Sequence, residues 1–344
     1  MREHSVPHNP IGDRWNEPFL RISDGVMQVY AQSVGVRDGG IVSAHISWPR
    51  KTREMHSHHF DSTIWNDFDF RDDDIVIATF GKAGTTWMQQ IVGQLIFKGE
   101  ENVPVSELSP WLDLRFPPKE VKLAGLQAQK HRRFVKTHLP VDALVFSPQV
   151  KYIYIARDGR DILWSLYNHH AKANEKWYAA MNGPGLVGEP VPHVDLDVVA
   201  YFRRWLERDG YPFWSLWENV RSWWAVRDLP NVLLVHYANL KRDLSGEMHR
   251  VARFLEIDIP DADWPKLVEH CGFDYMKKHA ANAAPLGGAI WEGGADSFIF
   301  KGTNGRWRDL LTRDDVEAYE GRALKELGPE CARWLSTGER SAAS

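Results

Sequence analysis

Asp74-Ile75-Val76-Ile77-Ala78-Thr79-Phe80-Gly81-Lys82-Ala83-Gly84-Thr85-Thr86-Trp87-Met88 is the stretch whose reading decides the fold. Its first half is a short apolar run of strand type. Its second half turns at Gly84 and opens a helical spacing of apolar residues at Trp87, Ile91 and Leu95. A strand that passes through a glycine-bearing turn into a helix N-terminus aims free backbone N–H groups and the positive end of the helix dipole at one point. Lys82 adds a full positive charge there, and the Thr85 and Thr86 hydroxyls add donors. The order is not that of the nucleoside-triphosphate loop G-x-x-x-x-G-K-[ST], because here the lysine precedes the glycine. The loop therefore suits a 5′-phosphate-type group without the usual hydroxyl ligand for magnesium.

Working outward, three more apolar runs lie near residues 132–136, 151–156 and 231–236, each separated from the next by a helix-length segment. Strands alternating with helices predict an α/β fold whose central parallel sheet carries helices on both faces. The second run ends in Arg133-Phe134-Val135-Lys136-Thr137-His138-Leu139-Pro140, and the third in Tyr154-Ile155-Ala156-Arg157-Asp158, leading to Ser165.

Taken with the first loop, these segments resemble the sulfotransferases that use 3′-phosphoadenosine 5′-phosphosulfate (PAPS), in particular the cytosolic type. That family reads Pro-Lys-Ser-Gly-Thr-Thr-Trp, then Lys-Thr-His-Leu-Pro, then Tyr-Ile-Ala-Arg-Asn/Asp with a serine further on. Further likenesses follow in order: Trp217 to Trp224, Val232 to Tyr237, Phe273 to Lys278, and Lys301-Gly302-x-x-Gly305-x-Trp307. The resemblance covers roughly residues 65–325. It implies a P-loop-like three-layer fold and one sulfotransferase domain over 1–344, with an N-terminal extension 1–64 and a frayed tail 336–344. It also implies transfer of sulfonate to a hydroxyl, less readily an amine, of a small and fairly apolar acceptor. The by-product is 3′,5′-adenosine bisphosphate (PAP), and no metal takes part.

The same resemblance distributes the roles. His138 is the candidate base, since an imidazole of ordinary pKa near 6.5 is available neutral at physiological pH. Lys136, two residues earlier, projects to the same side of an extended strand and can meet the sulfonate oxygens. Lys82 can reach the bridging oxygen. Lys82, Ala83, Gly84, Thr85, Thr86 and Trp87 form the 5′ loop, and Arg157 with Ser165 the 3′-phosphate pair. Tyr237, Phe273 and Met276, with Trp87, supply apolar faces for adenine, and Phe300, Lys301 and Gly302 belong to the C-terminal loop. Three positions depart from the family pattern. Ala83 replaces a serine, Phe300 stands where an arginine commonly precedes Lys-Gly, and Arg306 replaces an aspartate, where it can return the lost charge from another direction. The family's short dimerisation motif is not recognisable in residues 280–300, which leaves oligomerisation open.

Composition sets outer bounds. The chain has 344 residues, is 43% hydrophobic and 26% charged, and carries a net charge of −4, which argues against a general nucleic-acid binder. Two cysteines, Cys271 and Cys331, fit a reducing cytoplasmic setting better than a disulfide framework. No apolar run is long enough for a membrane span. Glu54, His56, His58 and His59 cluster within six residues; alternation puts His56 and His58 on one strand face, and a polar surface segment is expected rather than a metal site. Trp214, Trp217, Trp223 and Trp224 have the spacing of one core-facing helix. Residues 180–193 and 282–296 read as loops of lid type. The acceptor pocket is expected from residues 108–118, the stretch after Ser165 (with His169-His170 as candidates) and 282–296. Two alternatives to the sulfotransferase reading stay open: a kinase of small hydroxyl compounds, and a non-catalytic nucleotide-binding protein of the same fold.

Overall fold

The computed structural model describes residues 46–340. The expected extension lies outside the described residues up to position 45, as do residues 341–344 of the tail.

Four strands form one sheet: β1 (Ile75–Thr79), β2 (Phe134–Thr137), β3 (Lys151–Ala156) and β4 (Val232–His236), in the order β2-β1-β3-β4. Every pairing is parallel, with Ala78 beside Thr137 and Tyr154, and Ala156 beside His236. Burial on both faces is why these runs are apolar throughout rather than alternating: Ile75, Val76, Ile77, Ala78, Ile153 and Ile155 are sealed from solvent. Each of these valine and isoleucine side chains contributes about 1.5–3 kcal/mol relative to exposure.

Helices α1 (Thr85–Ile96), α2 (Gly159–Ala171), α3 (Leu216–Ala225), α4 (Leu244–Leu255) and α5 (Arg313–Thr337) are among those covering the sheet. Met88, Ile91, Val92 and Leu95 of α1 pack with β-strand isoleucines and with Met248, Val251 and Leu255 of α4 in one core. Trp217 and Trp223 of α3 are buried as their spacing predicts. Trp214 departs from that expectation: it precedes the helix, whose N-cap is Ser215, and turns toward the functional cavity.

Several local expectations need correction. Residues 282–296 are not a plain loop; they hold the short helices Ala280–Ala283, Pro285–Gly288 and the start of Gly294–Phe298. Residues 180–193 begin inside the helix Glu175–Met181. Ser336 and Thr337 belong to α5, which stops at Gly338 in the left-handed region. Phe60, Ile64 and Trp65, near the start of the resemblance, are buried.

A parallel sheet places the C-terminal ends of all its strands on one edge. Lys82 follows β1, His138 follows β2, Arg157 follows β3 and Tyr237 follows β4, so topology alone gathers four residues from distant sequence positions. That edge, at the switch point where the chain runs from β1 to β2 on one side and then returns past β1 to β3 on the other, is the place where open α/β sheets bind ligands.

Candidate active site

The loop between β1 and α1 shows why its residues are what they are. Gly84 caps α1 with φ 114°, and a side chain there would meet Ile155 at 2.8 Å and Tyr237 at 2.9 Å. Only glycine fits. Lys82 itself sits at φ 65°, a left-handed backbone that costs a non-glycine residue on the order of 1 kcal/mol and clusters at ligand loops. The N–H groups of Thr85, Thr86 and Trp87 have no partner among the described residues, and no side chain caps the helix. They are the free donors an anion requires.

A cavity of about 430 Å³ opens over this edge. Its lining includes Lys82, Gly84, Thr85, Thr86 and Trp87 from the first loop, with Lys136 and His138 after β2. Arg157, Ser165, Tyr237, Phe273, Met276, Phe300, Lys301 and Gly302 complete the set expected from sequence. Ala83 is the exception: it is fully buried and does not line the cavity.

His138 is held in a single orientation. Its Nδ1 lies 2.8 Å from the Thr79 carbonyl oxygen. A carbonyl can only accept, so Nδ1 carries the hydrogen and Nε2 keeps its lone pair for the cavity. The ring sits edge-on to Trp111 at 4.5 Å and stacks on Trp214 at 5.5 Å. Burial, followed by the charge of Lys136 and then Lys82, lowers its pKa to about 3, against the raising effect of the Thr79 bond. Burial likewise lowers Lys136 to about 8 and, with the charges of Lys136 and Arg157, Lys82 to about 7. Burial does most of this; neighbouring cations add to it at His138 and Lys82, whereas Asp113 opposes it at Lys136, and an anion bound beside them would raise all three.

The C-terminal loop closes on the other side. Arg157 donates to Asn304 Oδ1 at 3.0 Å and to the Thr303 carbonyl at 2.8 Å, and its guanidinium lies 4.2 Å from the Tyr237 ring centre. Gly305 N–H donates to Asp161 at 2.7 Å. Gly302, at φ 59°, leaves room for Phe273, which a side chain would meet at 2.8 Å. Phe300 is 46% exposed. Arg306 lies beside it, its guanidinium 5.6 Å from the Phe300 ring and 4.7 Å from that of Trp164. Arg306 lines the cavity near Arg157 and makes no salt bridge among the described residues. Trp87 and Tyr237 pack edge to face at 5.1 Å, and the Trp87 indole N–H donates to the Cys271 carbonyl.

The remainder of the cavity is apolar and aromatic. Trp111, Leu114, Phe116, Trp177, Met181, Trp214, Trp291 and Phe298 line it, and the Lys82 ammonium lies 4.4 Å over the Phe298 ring. The three segments expected to form an acceptor pocket thus meet here. His169 lines the cavity, whereas His170 is buried beside it, its Nε2 2.7 Å from the Pro192 carbonyl. His59 corrects the expected polar surface segment: only 3% exposed, it lines the cavity among aromatic rings, and His56 forms only an isolated bridge to Asp61. No group of His, Cys, Asp or Glu suited to a metal occurs among the described residues.

Sequence reasoning missed the supports of this site. Asn219 donates to the His138 carbonyl at 2.9 Å and accepts from the Tyr154 hydroxyl at 2.9 Å. Asp113, fully buried, accepts from the Trp111 indole at 2.8 Å. Asn219 acts through an element distant in sequence, and Asp113, besides its near neighbour Trp111, accepts from the Trp65 indole at 3.3 Å; nothing in spacing marks either long-range bond.

Comparison with known proteins agrees with this architecture. Residues 72–327 match a family model described as Sulfotransferase domain. A glycolipid sulfotransferase of Mycobacterium bovis (strain BCG) is 32% identical over 304 residues, covering 81% of this chain and 93% of the relative. Human sulfotransferase 1C2 is 27% identical over 262 residues, covering 74% and 82% respectively. Among solved structures, mouse sulfotransferase SULT7A1 complexed with PAP has a TM-score of 0.63 at 21% identity, covering 84% of this chain and 98% of that one. Retinol dehydratase in complex with androsterone and PAP has a TM-score of 0.60 at 24% identity, covering 77% and 83%. At such identities the two structures speak for the fold.

Proposed function

This chain belongs to the sulfotransferase family and is a sulfotransferase, and we propose that it moves a sulfonate from PAPS to a hydroxyl of a small, fairly apolar acceptor. The observation that carries the proposal is one cavity with a cationic end that makes no salt bridge among the described residues, an aromatic end, and His138 between them with no partner for Nε2 among those residues. PAPS, the donor substrate, supplies a sulfonate that passes in line to the acceptor oxygen. His138 takes the acceptor's proton at Nε2. Lys136 and Lys82 meet the charge on the transferring group and on the departing oxygen; in such loose transition states, positioning and electrostatics supply most of the catalysis. Lys82, Gly84 and the N–H groups of Thr85, Thr86 and Trp87 hold the 5′-phosphate, with Ala83 shaping the turn. Arg157 and Ser165 hold the 3′-phosphate. Trp87, Tyr237, Phe273 and Met276 flank the adenine, and Phe300, Lys301 and Gly302 close over the nucleotide. The chain acts as one sulfotransferase domain, in the cytoplasmic setting that its two unpaired cysteines suit.

Radiolabelled sulfonate transfer from PAPS to a panel of alcohols and phenols tests the activity, and thermal shift tests the nucleotide. PAP at 100 times its dissociation constant should stabilise the protein by about 2.7 kcal/mol, with little response to ATP and magnesium. The opposite ranking would favour a kinase, and PAP binding with no transfer to any acceptor would favour a binding protein.

Binding of PAP should persist in excess EDTA, because the donor loop lacks the magnesium-binding order; calorimetry showing a strict magnesium requirement would overturn this. The same titration should reveal proton uptake. Lys82 and Lys136 are held down to about 7 and about 8 in the free protein, and a phosphate beside them raises both. Protons are then taken up on binding, so PAP affinity should fall as pH rises above about 7. Calorimetry in buffers of different ionisation enthalpy reads the uptake directly, and a pH-independent affinity between 7 and 9 would contradict it.

A further inference from the structure

Two imidazoles in the aromatic half of the cavity have no task in the transfer described above. His59 lies 5.8 Å from the Trp111 ring, 5.5 Å from Trp214 and 6.0 Å from Trp177. His169 lies 6.2 Å from the same Trp177 and 4.9 Å from Trp291. His138 touches Trp111 and Trp214 as well. The wall therefore runs from His138 through Trp111 and Trp214 to His59, and through Trp177 to His169. In both His59 and His169, Nδ1 is sealed from solvent with no hydrogen-bond partner, and Nε2 has none among the described residues. Burial before all else, then neighbouring basic groups, holds both rings well below the ordinary histidine range, hence neutral.

A neutral imidazole has one N–H and one lone pair. An orphaned acceptor is tolerated more readily than an orphaned buried N–H, so the sealed Nδ1 is the bare nitrogen and Nε2 carries the hydrogen. Each ring then offers a donor through Nε2, in a wall of carbon and indole faces where the Trp214 and Trp291 indole N–H groups are sealed from solvent and have no partner among the described residues. A purely apolar acceptor would leave both donors unpaired when it expelled water, a cost that a phenylalanine at either place would avoid.

We infer that His59 and His169 are specificity residues that donate to a second oxygen on the acceptor, remote from the hydroxyl that receives the sulfonate. The preferred acceptor is a flat aromatic or alicyclic compound with two oxygen functions, such as a diphenol or a hydroxyketone, rather than a simple alcohol or monophenol. Indole faces on this wall suit a flat body, and the paired imidazoles read the far oxygen. This inference rests on the sulfonate-transfer reading and names its substrate class.

Calorimetry with 4-phenylphenol and 4,4′-dihydroxybiphenyl tests it, with and without PAP. The parent should bind the diol about three- to tenfold tighter than the monophenol, the range of one or two neutral hydrogen bonds. The double variant His59→Phe, His169→Phe keeps the aromatic packing and should lose that preference, whereas His169→Gln should retain part of it. PAP affinity in each variant reports on the fold. Equal binding of the two phenols by the parent, or a preference that survives the double variant, would overturn the assignment. Failure of the parent to bind PAP would instead count against the donor reading, while the phenol comparison would still be scored.

Discussion

His138→Ala should remove nearly all turnover on a neutral alcohol, roughly 10²–10⁴-fold, while leaving PAP affinity near the parent value. The imidazole faces the acceptor half, and its Nδ1 is already committed to the Thr79 carbonyl, so only Nε2 is lost to the reaction and nothing to the nucleotide. Its low pKa in the free protein, about 3, shifts the expected pH profile from what an ordinary histidine would give. Only neutral imidazole accepts a proton, and a lowered pKa keeps the ring neutral into acid. Bound donor charge raises the pKa again. The acidic limb of kcat/KM for the acceptor at saturating PAPS should therefore fall between about 3 and 6.5, not above, and the variant should lack it. Acidic phenols, already ionised at the assay pH, need no base, so the variant's deficit should shrink with them. Full activity of His138→Ala on the neutral alcohol would remove His138 from the mechanism and leave Lys136 and Lys82 to it.

The second large effect is expected at Arg157. Arg157→Ala should weaken PAP binding by on the order of 1.5–3 kcal/mol, with a smaller effect on turnover at saturating donor, because the 3′-phosphate is remote from the transferred group. The structure adds a second route to the same loss: Arg157 holds Thr303 and Asn304, so truncation also frees the C-terminal loop proposed above to cover the nucleotide. Arg306 is the companion. Its guanidinium lines the cavity near Arg157, beside the Phe300 that stands at the family's arginine position. Two like charges at close range are costly until an anion lies between them. Arg306→Ala should accordingly weaken PAP binding severalfold, and Phe300→Arg should bring little gain. Calorimetry on the three variants decides: parent-like affinity in Arg157→Ala contradicts its assignment, and a clear gain in Phe300→Arg contradicts compensation by Arg306.

The sequence by itself determined the sheet and the loop residues that gather at its C-terminal edge. Strands buried on both faces must be short apolar runs, and an anion loop must combine a permissive glycine with a cation at a helix start. Both demands act on neighbouring residues, so Ile75 to Thr86 states them locally, as do the runs ending at Lys136, Arg157 and Tyr237. Parallel pairing then leaves these residues only one common edge. What tertiary structure alone decided is the aromatic half of the cavity. His59 reads as a surface histidine because Glu54 and His56 surround it in sequence, yet folding seats it between Trp111, Phe213 and Trp214. Trp214 reads as one more core residue of a helix that in fact begins at Leu216. Asn219 and Asp113 act through the His138 carbonyl and the Trp65 indole, bonds that span elements and leave no periodicity behind. Residues 282–296, rich in glycine, read as a loop because their short helices are stabilised by what they cover rather than by their own propensity. A local pattern records constraints between neighbours along the chain, whereas a pocket wall assembled from distant segments records them only in space.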